Sequence, residues 1–214
     1  MSWWASKLAV PHGVEFKPVG KLSIQQDALD GNIPDISNAG AEWLVNSSHC
    51  YHKQTIMLAY GGWSPIRDEL KKYDPVTYWL IEPHSYGFSM LCEDETISRA
   101  TGEDIYDIGM MWNCTVDDWA EQFDPNGAKV DRVIMNPPRG QAALSIICLY
   151  PFLRTIRPRG QIASTIDYSE LFAVDNKPFR RWLEKNDFTW YICSRDFWKG
   201  PGRLCVIHGG AYVE

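Results

Sequence analysis

Val130-Asp131-Arg132-Val133-Ile134-Met135 runs directly into Asn136-Pro137-Pro138-Arg139-Gly140, and this junction decides the fold. The apolar run has strand length, and it stops where turn residues take over. A proline holds the residue before it extended and out of a helix, so two in succession make a rigid loop at a strand tip. Upstream, Thr55-Ile56-Met57-Leu58-Ala59 is another strand-length run, ended by Tyr60-Gly61-Gly62. Val76-Thr77-Tyr78-Trp79-Leu80-Ile81 is a further one, ended by Glu82-Pro83, and residues 110–116 read as a strand reaching Asp117-Asp118. Downstream, residues 161–166 read as a strand, and residues 188–193 and 203–208 as a closing pair. Helices fill the intervals. Ser37 or Asn38 can cap a short one over residues 39–45, and Pro65 suits the first turn of one over residues 66–73. Leu144, Ile147, Cys148, Tyr150 and Phe152 mark a helix within residues 141–156, and Phe179-Arg180-Arg181-Trp182-Leu183 belongs to another. This alternation predicts an α/β fold: a mostly parallel, doubly wound sheet with helices on both faces and a closing antiparallel hairpin. Residues 1–36, rich in Pro, Gly and Trp, read as an irregular N-terminal arm, and residues 37–214 as one domain.

Composition agrees with a globular domain. Hydrophobic residues are 45% and charged residues 22% of the 214, which excludes a disordered chain, a collagen-like repeat and a coiled coil. No apolar run approaches the roughly 18–20 residues that cross a bilayer, and the N-terminus lacks the pattern of a secretory signal. The 6 cysteines are scattered singly without a Cys-x-x-Cys pair and read as reduced core thiols of a soluble, cytoplasmic protein. The net charge of −6 is uneven: residues 1–128 hold 8 Lys and Arg against 19 Asp and Glu, a net of −11, whereas residues 129–214 hold 13 against 8, a net of +5. A basic C-terminal half suits a phosphate backbone, although from charge alone scatter over a solvated surface is the favoured account.

In sheets of this kind, ligands bind beyond the carboxyl ends of the strands. The candidates are therefore Gly61-Gly62, Glu82, Asp117 and, above all, Asn136-Pro137-Pro138. An exocyclic amine on an aromatic ring is a poor nucleophile because its lone pair is delocalised. An Asn side chain and main-chain carbonyls aimed at its hydrogens favour the pyramidal, reactive geometry, and no strong base is needed before attack.

Val130 to Gly140 resembles the fourth motif of class I S-adenosylmethionine-dependent methyltransferases that act on amino groups, above all the N6-adenine DNA methyltransferases. Arg159-Gly160-Gln161-Ile162-Ala163-Ser164-Thr165-Ile166 resembles that family's fifth strand, residues 172–183 its next helix, and residues 196–207 its closing hairpin. The resemblance spans residues 38–214 and implies a Rossmann-like fold with S-adenosylmethionine as cofactor. It implies Asn136, Pro137 and Pro138 as catalytic residues, and Tyr60, Gly61, Gly62, Glu82, Asp117 and Asn136 around the cofactor. Glu82 matches the carboxylate that accepts from the ribose hydroxyls, and Asp117, with Asp118 competing, the position that meets the adenine amino group.

Two departures stand out. Leu58-Ala59-Tyr60-Gly61-Gly62-Trp63 lacks the family's acidic residue before the glycines and its Gly-x-Gly spacing, and an alternative register takes residues 79–88 as the first motif, with Gly87 as turn glycine. Arg139 stands where the family carries an aromatic residue that stacks on the extruded base; a guanidinium can stack or grip a phosphate. Asn-Pro-Pro-Arg is also similar to ring-carbon RNA methyltransferases, but no cysteine is placed as their nucleophile. Tyr168 and Phe197 follow strand-like segments on the presumed active edge and are candidate substrate contacts beside Arg139. Trp3-Trp4, Trp63 and Trp198 are candidate stacking surfaces. His49 and His52 have helical spacing for a metal but no further ligands nearby, so no metal is expected. The expected partner is DNA, with RNA possible and no membrane. With no room for a large target-recognition domain, specificity is weak or comes from a partner subunit or a second copy. A methyl acceptor in RNA or a protein amide, and a non-catalytic binding protein of the same fold, remain open.

Overall fold

The computed structural model describes residues 35–48, 54–61, 65–70, 72–73, 77–83, 88, 107–127, 129–153, 161–199 and 202–209. Residues 1–34 of the arm, His49, His52, Gly62, Trp63 and Gly87 lie outside them.

The described strands of the main sheet are β1 (Thr55–Ala59), β2 (Thr77–Ile81), β3 (Asp107–Trp112), β4 (Arg132–Met135), β5 (Gln161–Asp167), β6 (Thr189–Ile192) and β7 (Leu204–Gly209). They form a 7-stranded sheet in the order β3-β2-β1-β4-β5-β7-β6. The β1–β2, β2–β3, β1–β4 and β4–β5 pairs are parallel, and β7 runs antiparallel to both β5 and β6. This is the doubly wound order 3-2-1-4-5-6 of dinucleotide-binding sheets with one antiparallel strand inserted before the last. The expected Rossmann-like α/β fold with its closing hairpin is what the chain adopts.

Alternation along the strands assigns each residue to a face. Ile56, Leu58, Leu80, Ile134, Ala163 and Val206 pack with α1 (Asn38–Ser47) and α2 (Ile66–Leu70). Met57, Ala59, Ile81, Val133, Met135 and Ile162 pack with α3 (Val116–Gln122), α4 (Ala142–Leu149) and α6 (Lys177–Lys185). With both faces covered, the central strands are apolar on both sides; all of Arg132–Met135 is buried. Ser37 caps α1, its hydroxyl accepting from the Gly40 N–H. Ile36 pairs with Trp198 in a two-residue ladder, which ties the start of the domain to the β6–β7 connection.

Three sequence expectations shift. The third strand ends at Trp112, and Val116, Asp117 and Asp118 open helix α3 instead of closing the strand. Thr115 causes the break: its hydroxyl accepts from the Asp118 N–H at 3.2 Å, and Val116, Trp119 and Ala120 then share one buried face at helical spacing. The helix expected over residues 141–156 ends at Leu149, where Pro151 tightens the chain into a turn over Tyr150–Phe152. The helix expected over residues 172–183 begins only at Lys177, as α6, and a separate short helix, α5 (Tyr168–Phe172), precedes it and follows β5 without a loop.

Candidate functional site at the carboxyl edge of the sheet

The chain leaves β1 towards β2 and β3 on one side and returns to β4 and β5 on the other. The ends of β1 and β4 therefore flank the point where the winding reverses, and open sheets bind ligands there. Backbone bonds fix the strand tips as a row. The Asn136 N–H donates to the Ala59 carbonyl at 3.2 Å, the Tyr60 N–H to Ile81 at 3.0 Å, and the Glu82 N–H to Trp112 at 3.0 Å. Tyr60, Gly61, Glu82 and Asn136 thus stand on neighbouring strand ends. The Gly61 turn, rather than Glu82-Pro83, follows the strand that pairs with β4.

Asn136 is 1% exposed, and Pro137 and Pro138 are buried with it. The Thr165 hydroxyl donates to Asn136 Oδ1 at 2.7 Å and so fixes the amide plane. This contact follows from register: Met135 pairs with Ser164, which brings the next residue of β5 beside Asn136. The loop leaves through Gly140 at φ 79, where a side chain would be strained although nothing lies within 4 Å of a Cβ.

Two carboxylates from the β5–α5 junction hold this loop. Asp167 Oδ2 accepts from Arg139 at 2.7 Å, while its Oδ1 accepts from the Ser169 N–H at 2.8 Å and caps α5. Glu170, on α5, accepts from the N–H groups of Gly140 at 2.8 Å and Ala143 at 3.0 Å. Gln141 makes no capping bond, so Glu170 supplies the cap of α4 from a different helix. Burial pushes the Glu170 carboxyl up to about 7, partly offset by these N–H donors.

Arg139 does not project outward as a bare stacking group. Besides its pairing with Asp167, its guanidinium lies 5.8 Å from the centroid of Trp198, and a Cβ on Gly202 would come within 3.3 Å of it. Tyr168 is half-buried beside this cluster, and its N–H donates to the Arg203 carbonyl at 2.8 Å. Phe197 faces elsewhere: its ring stacks on Trp43 of α1 at 5.6 Å, and its extended neighbour Trp198 meets Arg139 instead.

Tyr60 adopts φ 57, a conformation rare for a bulky residue, directly after β1. Its side chain is buried. The hydroxyl accepts from the Val116 N–H at 3.3 Å and bonds with Ser145; burial, with the Asp117 carboxylate nearby, raises its pKa. Tyr60 thereby braces the β1 tip against α3 and α4, with its ring turned into the core. Asp117 is half-buried in the first turn of α3, with Asp118 next to it. Thr165, Asp167 and Glu170 have no signature in the sequence, because what defines them is contact with a loop about 30 residues earlier.

Burial pushes the Cys205 thiol up to about 11 and the Cys193 thiol up to about 12, and it also raises Cys148. All three therefore stay protonated and poorly nucleophilic. Among the described residues no cluster of His, Cys, Asp or Glu could hold a metal ion, and no helix is long and apolar enough to cross a membrane.

This strand order, with a buried carboxylate at the end of β2 and a buried Asn-Pro-Pro loop at the end of β4, defines a Rossmann-like α/β domain. Comparison with solved structures agrees on that fold. A spermidine synthase from Thermotoga maritima matches with a TM-score of 0.57 at 13% identity over 84% of this chain and 62% of that chain. A putative O-methyltransferase from Klebsiella pneumoniae matches with 0.57 at 10% identity over 92% of each chain. The M. jannaschii tRNA m1G37 methyltransferase matches with 0.52 at 14% identity over 81% of this chain and 47% of that one. The chain thus spans 62% of the spermidine synthase's length. No family model and no curated protein matches the sequence. The fold is thus the Rossmann-like one that these methyltransferases and the spermidine synthase share.

Proposed function

We propose that this protein is an S-adenosylmethionine-dependent methyltransferase acting on an exocyclic amine, with adenine N6 in DNA as its substrate. The observation that carries the reading is Asn136: a buried amide at the switch point, held by Thr165 and followed by two buried prolines. An amide oxygen has two lone pairs; Thr165 occupies one, and the reading assigns the other to an amine N–H, with the Pro137 carbonyl accepting the second. The amine nitrogen is thereby drawn towards the pyramidal geometry in which its lone pair points at the methyl group, and catalysis is chiefly positioning. No general base is required, since the proton leaves after the nitrogen–carbon bond has formed.

The residues present fit the cofactor. A Cβ on Gly61 would sit 2.5 Å from Leu58 Cδ1, so the turn after β1 is as close to its own strand as a glycine allows. Glu82, 4% exposed at the end of β2, offers a carboxylate suited to two vicinal hydroxyls. Tyr60 and Gly61 would line the methionine part through their backbones, and Asp117 would meet the adenine amino group. When bound, S-adenosylmethionine supplies a methyl group on a sulfonium that departs as a neutral thioether.

A methyltransferase-fold protein that only binds is the second reading, favoured by the positive φ of Tyr60 where the family has small residues and by the tie of Arg139 to Asp167. Transfer of tritiated methyl to unmethylated DNA, with RNA and protein pools alongside, tests both readings. Counts in DNA that vanish in Asn136→Ala support the proposal. Counts only in RNA or protein keep the mechanism and change the substrate. No counts and no saturable cofactor binding favour the second reading. Sequence specificity is expected to be weak, or to come from a partner subunit or a second copy.

A further inference from the structure

Beside the catalytic loop lies a surface that neither the cofactor nor the amine accounts for. The rings of Tyr168 and Phe172, one helical turn apart on α5, lie 4.5 Å apart between centroids. Phe172 is 39% exposed, an uncommon position for a large aromatic side chain, and Val174 next to it is 86% exposed. Each ring carries an arginine: Arg203 lies 5.8 Å from the Tyr168 centroid and Arg180 lies 5.7 Å from that of Phe172. The two cations differ in role. Arg180 donates to the carbonyls of Leu171 and Ala173 and fixes the C-terminal end of α5, so it positions Phe172. Arg203 is exposed, and among the described residues no carboxylate pairs with it. The patch is rigidly joined to the loop, because Asp167 and Glu170, on either side of Tyr168, bind Arg139 and Gly140.

Paired aromatics with an exposed guanidinium beside them are what an unstacked nucleotide meets in single-strand binding sites: ring surface for the base and a cation for the phosphate. Arg180 and Arg203, beside the two rings, carry the charge complementary to such a strand. We propose that Tyr168, Phe172 and Arg203 form a platform that holds a nucleotide flanking the target base in single-stranded or locally opened nucleic acid. The proposal rests on the methyltransferase reading above and names its substrate class.

The test is fluorescence anisotropy with a labelled dT12 oligonucleotide, an rU12 arm and a duplex arm, alongside an S-adenosylmethionine titration of each variant. Phe172→Ala is expected to weaken dT12 binding on the order of tenfold, and Phe172→Trp to restore it. Arg203→Ala is expected to weaken it and to lower the salt dependence by about one phosphate contact. Cofactor affinity should be unchanged in all three variants, which separates local loss from misfolding. No dT12 or rU12 binding by the wild type, or binding indifferent to both Ala variants while cofactor binding and methyl transfer persist, would overturn the platform and leave the catalytic reading standing. Tighter duplex binding that ignores Phe172 would also overturn it. Loss of cofactor binding and transfer in the wild type would instead remove the reading on which it rests.

Discussion

At the level of single residues, Thr165 and Asn136 act as a pair across two strands. On the proposed reading Asn136→Ala removes an acceptor for the amine, and kcat is expected to fall at least about 100-fold, the scale of losing one preorganised partner of a transition state. Thr165→Val leaves the amide in place but loose, so steady-state kinetics should show a smaller fall in kcat with little change in KM for the acceptor. Glu170 gives a pH signature. Its carboxyl is raised from 4.5 to about 7, so the folded protein keeps a proton that the unfolded chain has released. Its contribution to stability is complete below about pH 4.5 and is lost as pH rises through about 7. Urea midpoints should therefore decline from about pH 5 to about pH 8 in the wild type, and decline less in Glu170→Gln, whose side chain does not titrate. An identical decline in both would show that the carboxyl is not responsible.

Among the secondary-structure elements, the ends matter more than the middles. Gly140→Ala places a methyl group where nothing obstructs it, yet at φ 79. The cost is thus conformational, about 1–2 kcal/mol, and chemical denaturation of the variant measures it directly. Thr115→Ala removes the α3 cap and should cost about 1 kcal/mol; an unchanged midpoint would mean that Trp119, stacked on Phe123 at 4.7 Å, holds that helix unaided. Such ends also mark where sequence reasoning succeeded and stopped. The strand Thr55–Ala59 was legible because polar residues bound its apolar run on both sides. Helix α3 was hidden because the run through residues 110–116 stays mostly apolar across the break, and only a single hydroxyl, on Thr115, marks it. Helix α5 was hidden because Asp167 both ends β5 and caps the helix, leaving no loop to read. In the site, Asn136 announced itself through the prolines, whereas Thr165 reaches it only through the register of β5 on β4. The bond from Arg139 to Asp167, 28 residues later, was equally hidden, because the partner lies on another strand.

For the molecule as a whole, a ligand that binds only the folded state adds RT ln(1 + [L]/Kd) to its stability. S-adenosylmethionine at about 100 times its Kd should add about 2.7 kcal/mol, and in a chain of this size that raises Tm by about 6 °C. Calorimetry that shows no shift at saturating cofactor would point to the binding-only reading. The anchoring of the loop has a consequence for how such a protein can diversify. Asp167 and Glu170 belong to one short stretch of chain, and both grip the segment that carries Asn136. That stretch works like the fixed jaw of a vice: the reacting group and the surface beside it are both measured from it. A mutation that re-aims α5 to suit a new substrate would drag the Asn-Pro-Pro loop out of line. On the proposed reading, changes in acceptor preference should therefore accumulate in side chains on and just after α5, such as Phe172 and Val174, and in what is attached around the core, while the backbone of α5 stays fixed.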